Sequence, residues 1–564
     1  MKSLTVRLLA GSMCVVVVGL LSGCAIRRPA PPVGAWNDPA LWTTNISAES
    51  KGRLTAEDTD STRVLKLDYQ LGGGHGWVEL SHELDEPVAD HIPIVMKIKS
   101  EGTGQLELKL VDTRGSVFGT RMPLENSFRT WTPLVIYPYN TEYWWGGTGD
   151  DFEKLARLQV AVSQQGSGTL WLDVQGLGRP GTHTMLPPGG AILDPDRDLP
   201  GIGFRQRRAA ELIPEDPLVL EWLKVVQDTF SPERQLVPSM ECNEAQTFNN
   251  ALVAMAFLVK GERERAERIL DFYAHATDRS NEDPKLQNFF YKGEARGFFQ
   301  AVALRNEGGD RAYHIRHPSD RWMGDMAWLM FAYKHHEQLH GPERYAEIRG
   351  LLLDLMLNWY TDAKDGPGGY IGHGWRAGDS RLHEDFGHQE GNIDAYAVMK
   401  LYGRPDVAEK IKTWLDRVLR GRSLPLDLYT WRTLAYGPDY LHLLDIPDFD
   451  LRYRKVLDVK GQPVMGLYDH ADLHVTNSWL DGVGHIACAY ISAGNPQRGC
   501  FYANQLDPFI IERVINGHVT HAIPYVAKNE GNYEWVDMNR GFASVAAWYI
   551  FAKNRFNPMT LQQH

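Results

Sequence analysis

The sequence has little cysteine and no excess of positive charge. Only five cysteines occur among 564 residues, and they do not have the spacing of a zinc ligand set. An oxidising compartment would permit one disulfide among Cys242, Cys488 and Cys500, with Cys488–Cys500 as one pairing. The formal charge of −12 argues against nucleic acid or anionic lipid headgroups as partners, because both attract basic surfaces.

Motifs of nucleotide and serine-hydrolase chemistry are also missing. The sequence contains no P-loop, no dinucleotide fingerprint and no G-x-S-x-G nucleophile elbow. His373, His383 and His388 lie near Asp379 and Asp385, but this set does not have the spacing of a zinc motif. We therefore predict neither a metal nor a cofactor, and we interpret these histidines as hydrogen-bonding groups.

The first residues predict export. Lys2 and Arg7 precede an apolar run that ends in Leu-Ser-Gly and Cys24. This end resembles a bacterial lipoprotein cleavage box, which implies removal of residues 1–23, a lipid anchor at Cys24 and, with alanine next, an outer-membrane location. The alternative is an ordinary signal peptide. Residues 24–35 form a proline-rich tether, and no later run is long enough for a transmembrane helix.

Residues 36–180 predict an all-β sandwich. Short runs with alternating polarity, such as RVLKLDYQL, QLELKLVD and TLWLDV, are separated by glycine-rich turns. The layout, with a glycine-rich region before Trp77 and a closing SGTLWLDVQGL strand, resembles family 11 carbohydrate-binding modules. The aromatic run 143–145 would be a sugar-stacking platform if exposed, or an interdomain plug if buried. Residues 181–211, rich in Gly, Pro and Asp, predict a linker.

Residues 212–564 predict an all-α domain. Apolar helices rich in Ala and Tyr alternate with amphipathic ones, which is the pairing that an (α/α)6 toroid needs. The ordered segments TFNNALVAMAFLVKG, GDMAWLMFAY, HQEGNIDAYAVMKLYG and FASVAAWYIFAKN resemble a bacterial family of glycoside-hydrolase-like (α/α)6 toroids. At Asn249 the chain departs from the aspartate of that family's T-Y-D-N-A segment, and Glu241 or Glu244 could compensate.

The densest polar stretch runs through residues 368–403 and carries the main catalytic candidates. Glu390 and Asp394 are four residues apart, so they share one face of a helix. The helix dipole suits Glu390 to the role of base, whereas the apolar neighbours of Asp394 suit it to the role of acid. Asp325 and Glu244, at other helix entrances, complete the catalytic set. The candidate substrate-binding residues are Trp322, Trp328, Trp375, Arg376, His388, Tyr396, Trp431, Glu534 and Trp535.

The sequence therefore predicts a lipid-anchored outer-membrane enzyme that hydrolyses a polysaccharide by carboxylate acid/base catalysis. One alternative is a polysaccharide lyase, in which Arg376 and Arg381 bind uronate carboxylates and His388, Tyr370 or Tyr396 moves the proton. Another is an inactive lipoprotein that binds a polysaccharide and assists its export. This alternative is supported by Asn249, where an amide replaces the expected acid. The expected partners are the polysaccharide and the membrane, the latter through Cys24.

Overall fold

The computed structural model describes residues 35–564 except 60–62, 91, 125–127, 130, 139–140, 149–151, 178–210, 279–288, 292, 306–318, 377–380, 385–386, 420–423, 451 and 473–474. The predicted signal peptide, Cys24, the tether up to residue 34, Asp379, Asp385 and nearly all of the predicted linker lie outside the described residues. Residues 33–564 form one compact unit. Cys242, Cys488 and Cys500 are buried and form no disulfide among the described residues.

Sheet dominates the part of the chain before residue 180. Its strands are β1 (Thr43–Ile46), β2 (Lys51–Asp58), β3 (Arg63–Gln70), β4 (Gly76–Ala89), β5 (Ile94–Gly102), β6 (Gln105–Asp112), β7 (Ser116–Pro123), β8 (Thr132–Ile136), β9 (Glu142–Gly146), β10 (Lys154–Gln164) and β11 (Ser167–Leu177). They form a six-stranded sheet in the order β1-β4-β10-β6-β7-β9 and a five-stranded sheet in the order β2-β3-β11-β5-β8, with antiparallel pairing throughout.

Strand alternation builds the core of this part. In β6, Leu106, Leu108 and Leu110 are fully buried, and in β10, Val160 and Val162 are fully buried beside them. Successive side chains of a strand point to opposite faces. One face of each strand therefore packs inward, while polar residues occupy the other.

Helices dominate the rest of the chain. They are α1 (Pro217–Phe230), α2 (Thr247–Val259), α3 (Arg263–His275), α4 (Met323–His340), α5 (Ala346–Asn358), α6 (Gln389–Leu401), α7 (Pro405–Val418), α8 (Leu426–Tyr436), α9 (Asp445–Phe449), α10 (Leu480–Ser492), α11 (Pro496–Asn504) and α12 (Ala543–Lys553). No helix among the described residues is long and apolar enough to cross a membrane.

Six of these helices close a ring. Each of α2, α4, α6, α8, α10 and α12 packs against the next, and α12 returns to α2. Ring helices are buried on nearly every side, as in α12, whereas α7 in the outer layer buries one apolar stripe. Helices α3, α5, α7, α11 and α1 and a 3₁₀ helix (Pro438–Leu444) form the outer layer.

The fold class predicted from the sequence, an all-β sandwich followed by an all-α toroid, is wrong because the helical part also contains strands. These are β12 (Ala245–Gln246), β13 (Phe290–Tyr291), β14 (Glu294–Ala295), β15 (Ala301–Val302), β16 (Arg321–Trp322), β17 (Tyr360–Asp362), β18 (Gly369–Ile371), β19 (Gly374–Arg376), β20 (Arg381–Leu382), β21 (Arg454–Val459), β22 (Gln462–Leu467), β23 (Ile511–Ile515), β24 (His518–Ala522), β25 (Phe556–Asn557) and β26 (Gln562–Gln563). They pair into two- and three-stranded sheets. Long connections between helices need partners for their own backbone groups, and short ladders supply them.

A buried polar contact joins the sheet-rich part to the helical part. The Tyr137 hydroxyl, just after β8, donates to Asp445 Oδ2 at 2.5 Å, and both side chains are buried. Strand β8 packs against α9, which begins at Asp445. The two parts therefore share an interface with a specific hydrogen bond.

Candidate active site

The amino ends of the six ring helices converge on one cavity of about 280 Å³. The second or third residue of each helix lines it: Phe248 and Asn249 of α2, Gly324 and Asp325 of α4, Glu390 of α6, Asp427 of α8, Asp481 of α10 and Ser544 of α12. The positive end of a helix dipole lies at its amino end, so all six dipoles favour negative charge in this cavity.

Carboxyl groups are the most numerous polar groups in the lining. The six are Asp325, Glu390, Asp394, Asp427, Asp469 and Asp481. Burial raises the pKa of Glu390 to about 7, and the positive charge of His470 opposes that rise. Burial also raises the pKa values of Asp325, Asp394 and Asp427 well above their usual range, and the negative charge of Glu390 raises each of them further. The charge of Glu390 therefore influences the ionisation of all three of these aspartates.

Asp481 stands on a different wall of the cavity. Its helix, α10, is separated from α6 by α8 in the ring. The Ser544 hydroxyl donates to Asp481 Oδ2 at 2.7 Å, whereas Oδ1 is buried with no hydrogen-bond partner among the described residues. Burial raises the pKa of Asp481 to about 7, and the bond from Ser544 limits the rise. At neutral pH Asp481 is therefore protonated part of the time. Its Oδ1 has no competing hydrogen bond from the described residues.

Aromatic rings form the apolar surface of the cavity. Phe248 packs edge-on against Trp328 with centroids 5.2 Å apart, and Trp328 packs edge-on against Trp431 at 5.4 Å. The indole N–H groups of Trp322 and Trp431 are buried and have no hydrogen-bond partner among the described residues. Those of Trp328 and Trp479 face Asp394 and Tyr525, whose pKa values they lower. A buried donor without a partner costs about 1–3 kcal/mol. A ligand with both hydroxyl groups and an apolar ring face would match this lining.

Arg376 forms its hydrogen bonds with other protein side chains and does not line the cavity. It donates to Asp320 Oδ2 at 2.7 Å and to His373 Nε2 at 3.2 Å, and its guanidinium lies 4.8 Å from the Trp322 ring centroid. Burial lowers the pKa of His373 to about 3 and also lowers that of His388. Both histidines are therefore neutral at pH 7, and no lysine or arginine is among the described cavity-lining residues.

The cavity brings together about half of the residues predicted from the sequence. Asp325, Glu390, Asp394, Trp322, Trp328, His388 and Trp431 line it. Among the described lining residues, Glu244, Trp375, Arg376, Tyr396, Glu534 and Trp535 do not occur. Glu244 is buried before α2, where one of its oxygens accepts from Gln246 Nε2 at 3.4 Å. Glu241 is held by Arg513 and by the indole of Trp222.

Sequence reasoning missed Asp427, Asp469, His470 and Asp481. A signal existed for two of them, since Asp427 and Asp481 occupy the same second helical position as Glu390. Asn249 lies in the cavity at the third position of α2, the position that Asp325 has in α4, and donates to Gln246 Oε1 at 3.2 Å. The carboxylate expected at position 249 is thus replaced by an amide, while five other helix-borne carboxyls surround the same space.

An HExxH pattern, His336 to His340, was also overlooked in the sequence. It lies near the end of α4, and none of its residues lines the cavity. Glu337 forms ion pairs with Lys334 and Arg349, and His336 Nε2 lies 2.8 Å from Glu267 Oε1. The described residues contain no group of three or more His, Cys, Asp and Glu side chains arranged to hold a metal ion. In this fold these residues serve packing between α4 and the outer layer.

No protein-family model and no curated protein matches the chain. Among solved structures, the chain is similar to a beta-1,2-glucanase from Parabacteroides distasonis, with 11% identity and a TM-score of 0.34 over 92% of this chain and 95% of that one. It is similar to a wild-type glycosidase, with 12% identity and a TM-score of 0.39 over 62% of this chain and 96% of that one. It is also similar to a family 11 carbohydrate-binding module from Clostridium thermocellum, with 14% identity and a TM-score of 0.21 over 24% and 88%. Similarities at this level assign no family to the chain.

Proposed function

We propose that this protein is a glycoside hydrolase that cleaves a polysaccharide in the cavity of the helix ring. One observation carries the proposal. Carboxyl groups from four different ring helices face a single cavity that is also lined by tryptophan rings, two of which, Trp322 and Trp431, have buried N–H groups without a partner among the described residues. Paired carboxyl groups are what glycosidic cleavage requires, and indole faces suit the apolar faces of sugar rings.

Glu390 and Asp481 fit the two catalytic roles. Asp481, with its free oxygen and a pKa of about 7, donates a proton to the glycosidic oxygen as the bond to the anomeric carbon breaks. The negative charge of Glu390 raises the pKa values of its neighbours Asp325, Asp394 and Asp427, and the positive charge of His470 favours the ionised form of Glu390. Ionised Glu390 removes a proton from water or attacks the anomeric carbon itself. This assignment keeps Glu390 as the base and moves the acid from Asp394 to Asp481.

The charge of the cavity favours hydrolysis over the lyase alternative. A lyase must neutralise a uronate carboxylate before it removes the neighbouring proton. Here Arg376 is paired with Asp320, and the described lining contains six carboxyl groups and no lysine or arginine. A uronate would place a second negative charge beside ionised Glu390, and like charges at short range repel strongly in a buried site. We therefore propose an uncharged glycan as the substrate.

The six-stranded sheet offers a second contact for a glycan. Tyr143 and Trp145 in β9 are 41% and 47% exposed, and Trp145 stacks on Trp144 with centroids 5.6 Å apart. This exposure supports the stacking-platform interpretation over the interdomain plug. We propose that the β9 aromatic residues hold the polymer while the cavity cleaves it. The lipid anchor at Cys24 and the outer-membrane location stay part of the proposal.

The test is product analysis on a panel of neutral and uronic polysaccharides. A hydrolase releases new reducing ends without ultraviolet absorbance, a lyase releases an unsaturated product that absorbs, and a binder releases neither. Glu390→Gln and Asp481→Asn should each lower the rate of release by about a hundredfold or more while polysaccharide binding remains. Ultraviolet-absorbing products from uronic glycans would refute the proposal, and so would binding without any product from the wild type.

A further inference from the structure

A hydrogen-bonded chain of three side chains reaches the cavity from outside the helix ring. The Tyr533 hydroxyl donates to Asp469 Oδ2 at 2.6 Å, and His470 Nδ1 lies 2.8 Å from the same oxygen. Asp469 and His470 follow β22, whereas Tyr533 belongs to a 3₁₀ helix (Gly531–Tyr533). Asp469, His470 and Tyr533 all line the cavity. The hydrolytic roles given above to Glu390 and Asp481 make no use of this chain.

The backbone fixes the chain beside the carboxyl wall. The N–H of Leu426, the first residue of α8, donates to the carbonyl oxygen of Asp469 at 2.7 Å. The next residue of α8 is Asp427, so the same contact sets the spacing between Asp427 and the Asp469–His470 pair. The His470 side chain is 55% exposed, which places it where the cavity meets solvent.

We propose that the Tyr533–Asp469–His470 chain holds a positive charge at this edge of the cavity, and that this charge keeps Glu390 ionised enough to act as a base. His470 does not contact the reacting atoms in this proposal. It is a positioning residue whose positive charge acts on catalysis through Glu390. The proposal rests on the catalytic role proposed for Glu390, but the charge on His470 itself can be measured without any substrate.

The charged groups around His470 all act in the same direction. Asp469 on its own segment, Asp427 on α8 and Glu390 on α6 each raise its pKa, with the hydrogen bond to Asp469 as the largest cause. In return, His470 lowers the pKa values of Glu390 and Asp427, which burial has raised. Tyr533 is itself buried and keeps its proton, since burial raises its pKa well above the usual range, so it serves as a neutral donor that orients Asp469.

The sign of the effect on catalysis follows from these contacts. Loss of the positive charge at position 470 raises the pKa of Glu390 further, so the base ionises only at higher pH. The acidic limb of the kcat/KM profile then moves to higher pH, and each unit of movement lowers kcat/KM on the acidic side about tenfold. A replacement at position 470 that keeps a positive charge should return the acidic limb towards its wild-type pH.

The experiment has two arms. In the first, ¹³C-histidine NMR follows the His470 signal, which is assigned by its disappearance in His470→Gln. We expect Asp469→Asn to lower the pH at which His470 loses its proton, and an unchanged titration would refute the chain. His518→Gln, an exposed replacement on β24, is the control and should leave that signal unchanged.

The second arm measures pH profiles of hydrolysis for wild type, His470→Gln and His470→Arg. We expect the acidic limb to move to higher pH in His470→Gln and to return towards the wild-type position in His470→Arg. An unmoved limb in His470→Gln would refute the effect on Glu390, as would equal limbs in the Gln and Arg variants. If wild type cleaves no glycan, the proposed function fails, whereas the NMR arm still decides whether the chain holds the charge.

Discussion

Ser544 donates its hydroxyl proton to Asp481 Oδ2 at 2.7 Å, and this bond joins the first turn of α12 to the first turn of α10. It places Asp481 with one oxygen bound and the other unpaired among the described residues. Because Asp481 lines the cavity, we expect a proton on its unpaired oxygen to be available to a ligand. The Ser544–Asp481 pair therefore sets both the direction and the acidity of the proposed general acid.

Asp481→Asn should remove the proton donor while keeping the shape of the side chain. We expect kcat to fall by about 10²–10⁴, the usual contribution of general acid catalysis, with oligosaccharide affinity retained. Reducing-end assays and isothermal titration calorimetry measure the two quantities. Asp458→Asn, which changes a carboxylate of β21 outside the cavity lining, is the control and should keep wild-type kcat. A fall of less than fivefold in Asp481→Asn would contradict the acid role.

Ser544→Ala should change acidity and leave the donor in place. The bond from Ser544 lowers the pKa of Asp481, so its loss lets the pKa rise above about 7. The general acid must be protonated, and the alkaline limb of the pH profile should therefore move to higher pH. Thr413→Ala, which removes an exposed hydroxyl on α7, should leave the limb where it is. A shift to lower pH in Ser544→Ala would show that the hydroxyl has a different role.

The buried acid should also make the folded protein less stable at high pH. The folded-state pKa of Asp481 is raised from 3.8 to about 7, so its proton stabilises the native state fully below pH 3.8, and that stability is lost as pH rises to about 7. The loss approaches roughly 4 kcal/mol for a shift of this size. We expect the free energy of unfolding of Asp481→Asn, measured relative to wild type, to be higher at pH 8.5 than at pH 5. Urea denaturation at both pH values measures the difference, and an equal difference at the two would contradict the raised pKa.

The spacing of Glu390 and Asp394 was enough to predict one wall of the cavity, because residues four apart on a helix share a face. Asp427 and Asp481 occupy the second position of α8 and α10, as Glu390 does in α6. No dense polar motif surrounds them in the sequence, so they were not predicted. Asp469 and His470 reach the cavity from a segment after β22, and only the tertiary fold brings them there. Strands of two or three residues, such as β16, are too short to show a period of two in the sequence. The five- and six-residue strands β21 to β24 were overlooked, and the helical part was therefore predicted as all-α.

Trp145→Ala should weaken attachment to long polymers and leave cleavage of short oligosaccharides unchanged. A sugar ring on the exposed indole face covers roughly 40–60 Å² of apolar surface, worth about 1–1.5 kcal/mol at about 25 cal/mol per Å². That is a fivefold to tenfold loss of affinity in a polysaccharide pull-down. Leu41→Ala removes a side chain that is also 47% exposed and is the control. Equal losses in both variants, or a matching loss on oligosaccharides, would contradict a separate polymer-binding role for β9.

Tyr137→Phe should destabilise the interface between the sheet-rich and helical parts. The Tyr137 hydroxyl donates to Asp445 Oδ2 at 2.5 Å, and Asp445 is only 4% exposed. Removing the donor leaves a buried carboxyl oxygen short of one hydrogen bond, which costs about 1–3 kcal/mol. Differential scanning fluorimetry should show a lower Tm for Tyr137→Phe, whereas Tyr143→Phe, whose hydroxyl bonds to the Gly146 carbonyl on an exposed strand, should change Tm little. Because neither residue lines the cavity, kcat below the transition should stay at the wild-type value in both variants. Loss of kcat in Tyr137→Phe alone would mean that the interface also positions the ring helices.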